Sequence, residues 1–394
     1  MRLLFVVQRY GHEVAGGAEV HCRQFATRLA ARGHGVEVLT SCALSYVDWA
    51  DWYPVGSADL DGVLVHRLPV DEERQERFFG PLNGRVPRGR KPVPLHLQRE
   101  WMLRQGPHMR QLPRWLAEHA EGYEAIIFFT YLYYPTWAGL PVASALVPTV
   151  LHPTVHDEPA LQLPIFEPLF RQPWAFAFST EEEAALVSRR FRMQAPGAVI
   201  GIGTDLDASG DPLAFRRRFG LGDRPYLVFI GRLEPGKGSE ELFEFFCVYK
   251  TRNPGHLALV VVGEPVKPLP RHPDVFVTGF VDEETKRGAL AGALALAQPS
   301  YFESFSMVLM EAWVMQKPAL VQGHCAVLEG QVNRSGGGIP YRGFAEFEGA
   351  LDVLLGDGEM AGALGCSGRR FVEEKYHWDA VLGRYERLLA RVAG

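Results

Sequence analysis

Short apolar runs alternate along this chain with longer stretches in which apolar residues recur every three or four positions. Short apolar runs are typical of buried strands, and a period near 3.6 predicts helices, so the alternation indicates βαβ units and a mostly parallel sheet. A helix is predicted over 18–31, and Thr180 with Glu183 forms a capping-box pattern that predicts the start of another. The strands predicted in the first half are 2–7, 35–40, 62–68, 125–130, 147–151 and 175–179.

A second series of the same kind follows a linker near residue 205. Segment 198–207 is predicted as a last strand leaving the first half, and 378–392 as a closing amphipathic helix. Two similar α/β halves predict a cleft between them, and ligands of such sheets bind beyond the carboxyl ends of the strands. The strands predicted in the second half are 226–231, 257–263, 275–279, 294–298 and 318–322.

Length and composition fit a soluble two-domain protein. A chain of 394 residues is too long for one ordinary core, and a net charge of −5 argues against a nucleic-acid partner. The five cysteines are far apart and form no CxxC pair, which argues against a zinc site or a disulfide framework and favours the cytoplasm. The first apolar run is too short for a signal peptide, and prolines interrupt the uncharged stretch 125–151, which we interpret as strand, helix and strand.

Two glycine-containing segments follow predicted strands and could receive a ligand. Gly16 and Gly17 precede the first helix, where free N–H groups attract anions; an ordinary loop is the alternative. Segment 231–238, "GRLEPGKG", adds Arg232 and Lys237 to three glycines. Two cations among glycines after a strand indicate phosphate binding more specifically than a solvated turn does, although the order is not that of a Walker A loop.

Glu303 and Glu311 stand with seven residues between them in otherwise apolar sequence. A carboxylate in such surroundings needs hydrogen-bond donors. Either both glutamates are paired for structural reasons, or they bind a ligand rich in hydroxyl groups.

Together these segments resemble the family 4 glycosyltransferases, which have the GT-B fold. The resemblance rests on 16–19 "GGAE", 231–238, 277–284 "VTGFVDEE", the E-x7-E element 303–311 and the closing helix within 376–389. It implies an α/β architecture of two Rossmann-like domains facing across a cleft. The expected acceptor-side domain is 1–204 with 373–394 packed back on it, and the nucleotide-sugar domain is 205–372.

The resemblance implies that both glutamates hold a nucleoside diphosphate sugar, Glu303 through sugar hydroxyls and Glu311 through the ribose. Eight helical steps span roughly 12 Å, about the distance between those groups. The helix N-terminus between them points N–H groups at the diphosphate. The expected catalytic residues are His156, Arg232, Lys237 and Glu303. The expected donor-binding residues are Gly16, Gly17, Gly231, Gly263, Gly279, Phe280, Phe305, Ser306, Met307, Val308 and Glu311.

Three details qualify this expectation. The family often has a histidine near the transferred sugar, and His156 fits that place better than His152, although the choice stays open. Ser306 stands where many members carry glycine, so the backbone approach to phosphate is expected to be tighter. No metal and no cofactor are expected, because fold members generally use cations instead, and the "DLD" segments 59–61 and 205–207 are not interpreted as metal sites.

We therefore expect a retaining glycosyltransferase of bacterial type, acting in polysaccharide biosynthesis on a glycan, lipid-linked or small-molecule acceptor. A sugar-nucleotide epimerase or phosphorylase of the same fold and a non-catalytic sugar-nucleotide-binding protein are the alternatives. Segment 85–104 carries a cluster of Arg and Lys near apolar residues. It predicts a peripheral contact with an anionic membrane at the inner face, with a solvated loop as the alternative.

Overall fold

Two parallel-stranded sheets, each covered by helices, make up the chain. The computed structural model describes residues 1–14, 16–89, 92–231, 233, 235–264 and 271–393. The strands are β1 Arg2–Val6, β2 Gly35–Ser41, β3 Gly56–Leu60, β4 Val63–Leu68, β5 Ala125–Phe129, β6 Thr149–His152, β7 Ala175–Phe178, β8 Gly197–Val199, β9 Tyr226–Ile230, β10 Ala258–Val262, β11 Val275–Gly279, β12 Ala295–Gln298, β13 Ala319–Gln322 and β14 Gly338–Tyr341.

The helices follow the strands in the alternation that the sequence predicts. They are α1 Gly17–Ala31, α2 Glu76–Arg85, α3 Leu95–Gln105, α4 Gln111–His119, α5 Tyr134–Ala143, α6 Glu181–Arg190, α7 Pro212–Arg218, α8 Ser239–Arg252, α9 Glu283–Ala291, α10 Met307–Val314, α11 Ala326–Ser335, α12 Phe344–Gly356, α13 Gly358–Lys375 and α14 Trp378–Ala393. No helix within the described residues is long and apolar enough to cross a membrane.

The first sheet has the order β3-β4-β2-β1-β5-β6-β7-β8, and all of its pairs are parallel except β3 with β4. The second sheet has the order β11-β10-β9-β12-β13-β14 and is parallel throughout. The central strands are buried along their whole length, which explains why they stand out as continuous apolar runs rather than alternating ones.

Every predicted strand is present, and the helices predicted over 18–31 and 378–392 are confirmed as α1 and α14. The expectation for 198–207 is wrong beyond Val199, where the short strand β8 ends. Thr180 caps α6 as predicted, because its hydroxyl accepts the main-chain N–H of Glu183 at 3.1 Å.

Two edge strands lack the apolar signal and were not predicted. In β3 every residue is exposed or half-exposed, so no buried face marks it in the sequence. Its turn to β4 is Asp61–Gly62, with φ of 56° and 77°, the positive pair that two-residue hairpin turns require. The other strand, β14, contains Pro340, which an edge strand tolerates because one side of it forms no ladder.

Contacts divide the chain into two units, Met1–Gly201 with Leu382–Gly394, and Ile202–Val381. The boundaries expected from the sequence were 204 and 373. The second boundary lies later because α13 and the first turn of α14 belong to the second unit, whereas α14 from Leu382 onward is counted with the first. Each unit has its own hydrophobic core around its sheet.

Candidate functional site

The strand order of the second sheet reverses between β9 and β12, which are neighbours although β10 and β11 lie between them in the chain. Ligands of open parallel sheets bind at the carboxyl ends of strands at such a switch point. The segments that leave these two strands touch each other here. Gly238 has a φ of +66°, and a Cβ on it would lie 2.1 Å from the carbonyl oxygen of Pro299. Both the positive φ and the close carbonyl oxygen therefore require glycine at position 238.

At this contact, Lys237 and Glu303 form an ion pair. Lys237 Nζ donates to Glu303 Oε1 at 2.6 Å, and Gln298, the last residue of β12, donates its Nε2 to the same oxygen at 3.1 Å. The structure thus brings together two of the predicted site residues. Gln298 was not anticipated, because it ends an apolar run that predicts only a buried strand.

Ser306 holds the turn into α10 in a left-handed conformation, with φ of 71° and ψ of 82°. Glycine adopts this conformation without strain, which accounts for its frequency at this place in the family that the sequence resembles. Here the serine hydroxyl accepts a hydrogen bond from Gln298 Nε2 at 3.2 Å. Gln298 consequently links the start of α10 to Glu303.

The residues around the start of α10 differ in what they can offer a ligand. The Phe305 ring is 2% exposed and packs edge-on against Tyr376 at 5.1 Å, so Phe305 can contribute only its main chain. Met307 and Val308 are half-buried and begin the helix. Their main-chain N–H groups are among those that have no partner inside a helix.

About one turn into α10, Glu311 pairs with a lysine that the sequence does not single out. Lys286 Nζ on α9 donates to Glu311 Oε1 at 3.0 Å and lies 2.8 Å from Glu283. The second carboxylate oxygen of Glu311 is shielded from solvent and accepts no hydrogen bond from the described residues. Burial raises the pKa of Glu311 despite the opposing effect of Lys286. Burial alone would lower the pKa of Lys286, but Glu311 and Glu283 outweigh it and raise that pKa.

Gly231 and Gly263 follow the strands β9 and β10, Gly279 is the last residue of the neighbouring strand β11, and all three have a positive φ. Gly263 is the most constrained, since a Cβ on it would lie 2.1 Å from the carbonyl oxygen of Gly231. Gly279 accepts the N–H of Gly263 at 3.0 Å, and next to it Phe280 leaves 79% of its surface exposed. An aromatic ring this exposed beside a strand end can serve as a stacking surface.

Arg232, expected to bind phosphate with Lys237, lies outside the described residues. Among the residues that the structure describes, no group of three His, Cys, Asp or Glu side chains could hold a metal ion.

In the first unit, the two candidate histidines differ sharply in environment. His152 is buried: its ring stacks on Phe129 at 4.6 Å, and its Nε2 lies 3.0 Å from the Tyr385 hydroxyl on α14. Burial, and next the neighbouring His21, lower the pKa of His152 well below its ordinary value. His156 is half-exposed, and its Nδ1 lies 3.5 Å from Glu158. Of the two, only His156 has a ring open to solvent for a ligand to reach.

The expected donor glycines Gly16 and Gly17 also differ from each other. Arg9 donates to Glu19 through its Nε at 2.8 Å, and both side chains are buried. A Cβ on Gly16 would lie 2.1 Å from Glu19 Oε2 and 2.9 Å from Arg9 Nη2, so Gly16 makes room for this ion pair. A Cβ on Gly17 would meet nothing within 4 Å. Only Gly17 combines a helix N-terminus with open space.

The basic segment 85–104 begins at the end of α2 and includes most of α3. Arg90 and Lys91 lie outside the described residues. Of the apolar residues in this segment, Trp101 is buried, and its Nε1 donates to Asn83 Oδ1 at 3.0 Å. Leu95 and Leu103 are exposed, as is Phe78 on α2.

Comparisons with known proteins agree with this architecture. Residues 224–357 match the family model "Glycosyl transferases group 1". The D-inositol 3-phosphate glycosyltransferase of Stackebrandtia nassauensis is 27% identical, over 96% of this chain and 88% of that protein. The GDP-mannose-dependent alpha-(1-6)-phosphatidylinositol monomannoside mannosyltransferase of Mycobacterium tuberculosis is 30% identical over 44% of this chain and 50% of its own length.

Among solved structures, sucrose-phosphate synthase from Thermosynechococcus elongatus superposes with a TM-score of 0.71 at 20% identity, over 99% of this chain and 98% of that one. Anabaena HepE in complex with UDP and glucose superposes with a TM-score of 0.70 at 15% identity, over 99% of this chain and 100% of that one.

Two Rossmann-like units with these strand orders have the GT-B fold, as the similarity to the solved structures shows. Matches to both the family model and the sequence relatives carry this one step further. The chain is a glycosyltransferase enzyme, and its residues 224–357 are similar to the group 1 glycosyltransferases, which correspond to family 4.

Replacing Gly16 by alanine and replacing Gly17 by alanine should affect the stability of the protein differently. Gly16→Ala places a methyl group against the buried Arg9–Glu19 pair and should lower the free energy of unfolding by roughly 1–3 kcal/mol, as overpacking does. Gly17→Ala, the matched control at the start of α1, should leave stability unchanged or raise it by up to about 1 kcal/mol, because alanine favours helices. Urea unfolding measures both. A Gly16→Ala variant as stable as the Gly17→Ala variant would contradict the packing described here.

Proposed function

We propose that this enzyme transfers a sugar from a nucleoside diphosphate sugar to an acceptor hydroxyl with retention of the anomeric configuration. The observation that carries the proposal is the pair of lysine-bound glutamates, Glu303 and Glu311. One precedes and the other follows the N-terminus of α10, which lies at the switch point. Half-buried carboxylates fixed at two points around a helix N-terminus suit a ligand with hydroxyl groups on both sides of a diphosphate.

Glu311 is the proposed ribose ligand. Lys286 holds one of its oxygens, and the other accepts no hydrogen bond from the described residues. A buried acceptor without a donor costs free energy. A ribose hydroxyl donating to that oxygen would remove the cost, so the free site already holds the glutamate in a position to bind.

Glu303 and Lys237 are proposed to exchange partners when the donor binds. Lys237 now neutralises Glu303 at 2.6 Å. A diphosphate is a stronger counter-charge for a lysine, and the carboxylate would then accept from sugar hydroxyls instead. Gln298 donates to Glu303 independently of the lysine, so the carboxylate remains oriented during this exchange.

The diphosphate is proposed to lie at the start of α10, bound by the main chain of Phe305, Ser306, Met307 and Val308, with Lys237 and Arg232 as cations. Glycine at the strand ends, namely Gly231, Gly263 and Gly279, keeps side chains away from the nucleotide, and the exposed ring of Phe280 is available to the base.

In the proposed reaction, the bond between the anomeric carbon and the diphosphate oxygen breaks while the acceptor oxygen bonds to that carbon on the same face. The acceptor's proton passes to the departing phosphate, and Lys237 with Arg232 stabilises the charge that develops there. His156 is proposed to lie beside the transferred sugar, and Gly17 to leave room for the donor in the first unit. Glu158, the carboxylate beside His156, accepts from the Tyr131 hydroxyl at 2.8 Å, and the proposed reaction gives it no nucleophilic role.

The identity of the donor draws on similar proteins. Anabaena HepE has been solved with UDP-glucose, trehalose-6-phosphate synthase from Escherichia coli with UDP-2-fluoro glucose, and a M. tuberculosis relative is described as GDP-mannose-dependent. These support a nucleotide-sugar donor and leave the base open among uridine, guanosine and adenosine.

A donor panel tests the proposal. Incubation with UDP-, GDP- and ADP-sugars without acceptor should give slow hydrolysis of one class, and the released sugar should first have the donor's anomeric configuration by NMR. Lys237→Met should lower this rate by roughly 100- to 1,000-fold, the usual loss for a group that stabilises transition-state charge. Lys375→Met, an exposed lysine at the end of α13, is the control and should not change the rate. Release of the inverted anomer would contradict retention, and no hydrolysis of any donor would contradict the donor class.

We further propose that α2 and α3 meet an anionic membrane or a phosphate-bearing lipid acceptor at its surface. Residues 76–104 carry seven Arg and Lys side chains against Glu76 and Glu100, in a chain of net charge −5. Phe78 and Leu95 expose about half of their surface among these charges. Each cation near an anionic bilayer contributes about 1 kcal/mol.

Liposome co-sedimentation tests this contact. Binding should require anionic lipid, weaken at high salt and be lost when Arg88, Arg90 and Lys91 are all replaced by glutamine. A variant with the same loss of charge at three other exposed arginines of the first unit should still bind: Arg110, Arg114 and Arg171. Equal binding to neutral liposomes, or none at all, would contradict the membrane contact.

A further inference from the structure

A buried carboxylate on α6 holds the loop that carries His156. Glu183 is 1% exposed, and its two oxygens accept main-chain N–H groups from different segments. Oε1 accepts from Val155 at 2.7 Å, and Oε2 accepts from Ser179 at 2.6 Å. Val155 immediately precedes His156, so a side chain from another element fixes the backbone next to that histidine.

The same loop is anchored on both sides of His156. Tyr131 donates its main-chain N–H to the carbonyl of Pro153 at 3.1 Å and its hydroxyl to Glu158 at 2.8 Å. Between these anchors Thr154 has a φ of 48°, a conformation that non-glycine residues keep only when their surroundings enforce it. Glu183 supplies the central anchor, directly after this strained residue.

The chemistry of the anchor requires a carboxylate. Two N–H donors from separate strand ends converge on one buried position, and only an ionised Asp or Glu offers two acceptor oxygens without a donor of its own. No cationic side chain among the described residues forms an ion pair with Glu183, and burial raises its pKa to about 7. A buried charge without a counter-ion is costly. Glu183 accepts the N–H of Thr180, as the glutamate of a capping box does, but its bond from Val155 in another segment goes beyond capping.

We infer that Glu183 is a positioning residue for sugar transfer, which acts by holding Val155 so that His156 keeps its orientation toward the transferred sugar. This inference rests on the proposed function, in which His156 lies beside that sugar. Displacing a group by about 1 Å can cost 100-fold in rate, so loss of the anchor should appear in turnover rather than in donor binding, which we assign to the second unit.

A double-mutant cycle on the full-length enzyme separates positioning from a purely structural role. Glu183→Gln keeps the size of the side chain but turns an amide N–H₂ toward one of the two N–H donors. It should lower the kcat of nucleotide-sugar hydrolysis by roughly 10- to 100-fold and leave the donor KM within about twofold. In a His156→Ala background the same change should lower kcat by less than about twofold further, since the group that it positions is already gone.

Two further variants keep the result interpretable. Thr180→Ala removes the cap of α6 without touching Val155, so it should lower thermal stability and leave kcat unchanged. Glu183→Asp retains the charge but is one methylene shorter and reaches fewer of its partners; it takes the place of Glu183→Gln if that variant does not fold, with the same expected pattern.

The outcomes distinguish the inference from the proposed function. Equal losses of kcat in both backgrounds, or a loss in Thr180→Ala as large as in Glu183→Gln, would make Glu183 a structural residue and overturn the inference. A wild-type enzyme that turns over no nucleotide sugar would overturn the proposed function instead. A His156→Ala variant with unchanged kcat would remove the histidine from the reaction and the inference with it, while leaving the donor assignment standing.

Discussion

The carboxyl ends of β9 and β12 are adjacent because the second sheet reverses its strand order there, and the proposed chemistry depends on that adjacency. The loop after β9 carries a lysine and the loop after β12 carries a glutamate, and the two loops lie so close that Gly238 has no room for a side chain. A parallel sheet alone would place these residues on the same edge, but only the reversal makes them neighbours. The ion pair between Lys237 and Glu303 follows from this arrangement.

Lysine side chains of the protein itself balance the charge of both glutamates in the E-x7-E element. Each glutamate of the E-x7-E element already has a lysine within 3.0 Å, so neither carboxylate is buried without a counter-charge. The arrangement nevertheless leaves one oxygen of Glu311 without a donor. We interpret this as preorganisation. The lysines offset the unfavourable free energy of holding the carboxylates in an apolar environment before the donor binds, and hydroxyl groups of the donor then complete the hydrogen bonding.

Much of this could be predicted from the sequence because it depends on local patterns. Buried strands appear as apolar runs, and the structure confirms them. Phosphate binding by the two cations among glycines after β9 stays a prediction. Lys286 and Gln298 could not be predicted in this way. Lys286 is one charged residue in the polar start of α9, and Gln298 ends an apolar strand. Both acquire their roles only through hydrogen bonds to residues of other elements. The sequence leads us to expect that Gly16 leaves room for a ligand. In the structure, its lack of a side chain instead leaves room for the buried Arg9–Glu19 ion pair.

Isothermal titration calorimetry with the preferred nucleoside diphosphate and with its sugar-bearing form tests most directly whether the two glutamates divide the donor between them. Glu311→Ala should weaken both ligands, because the ribose is common to them. Glu303→Ala should leave the affinity for the bare nucleoside diphosphate near that of the native enzyme and weaken only the sugar nucleotide. Equal losses for both ligands in both variants would contradict the division and with it the account of the site.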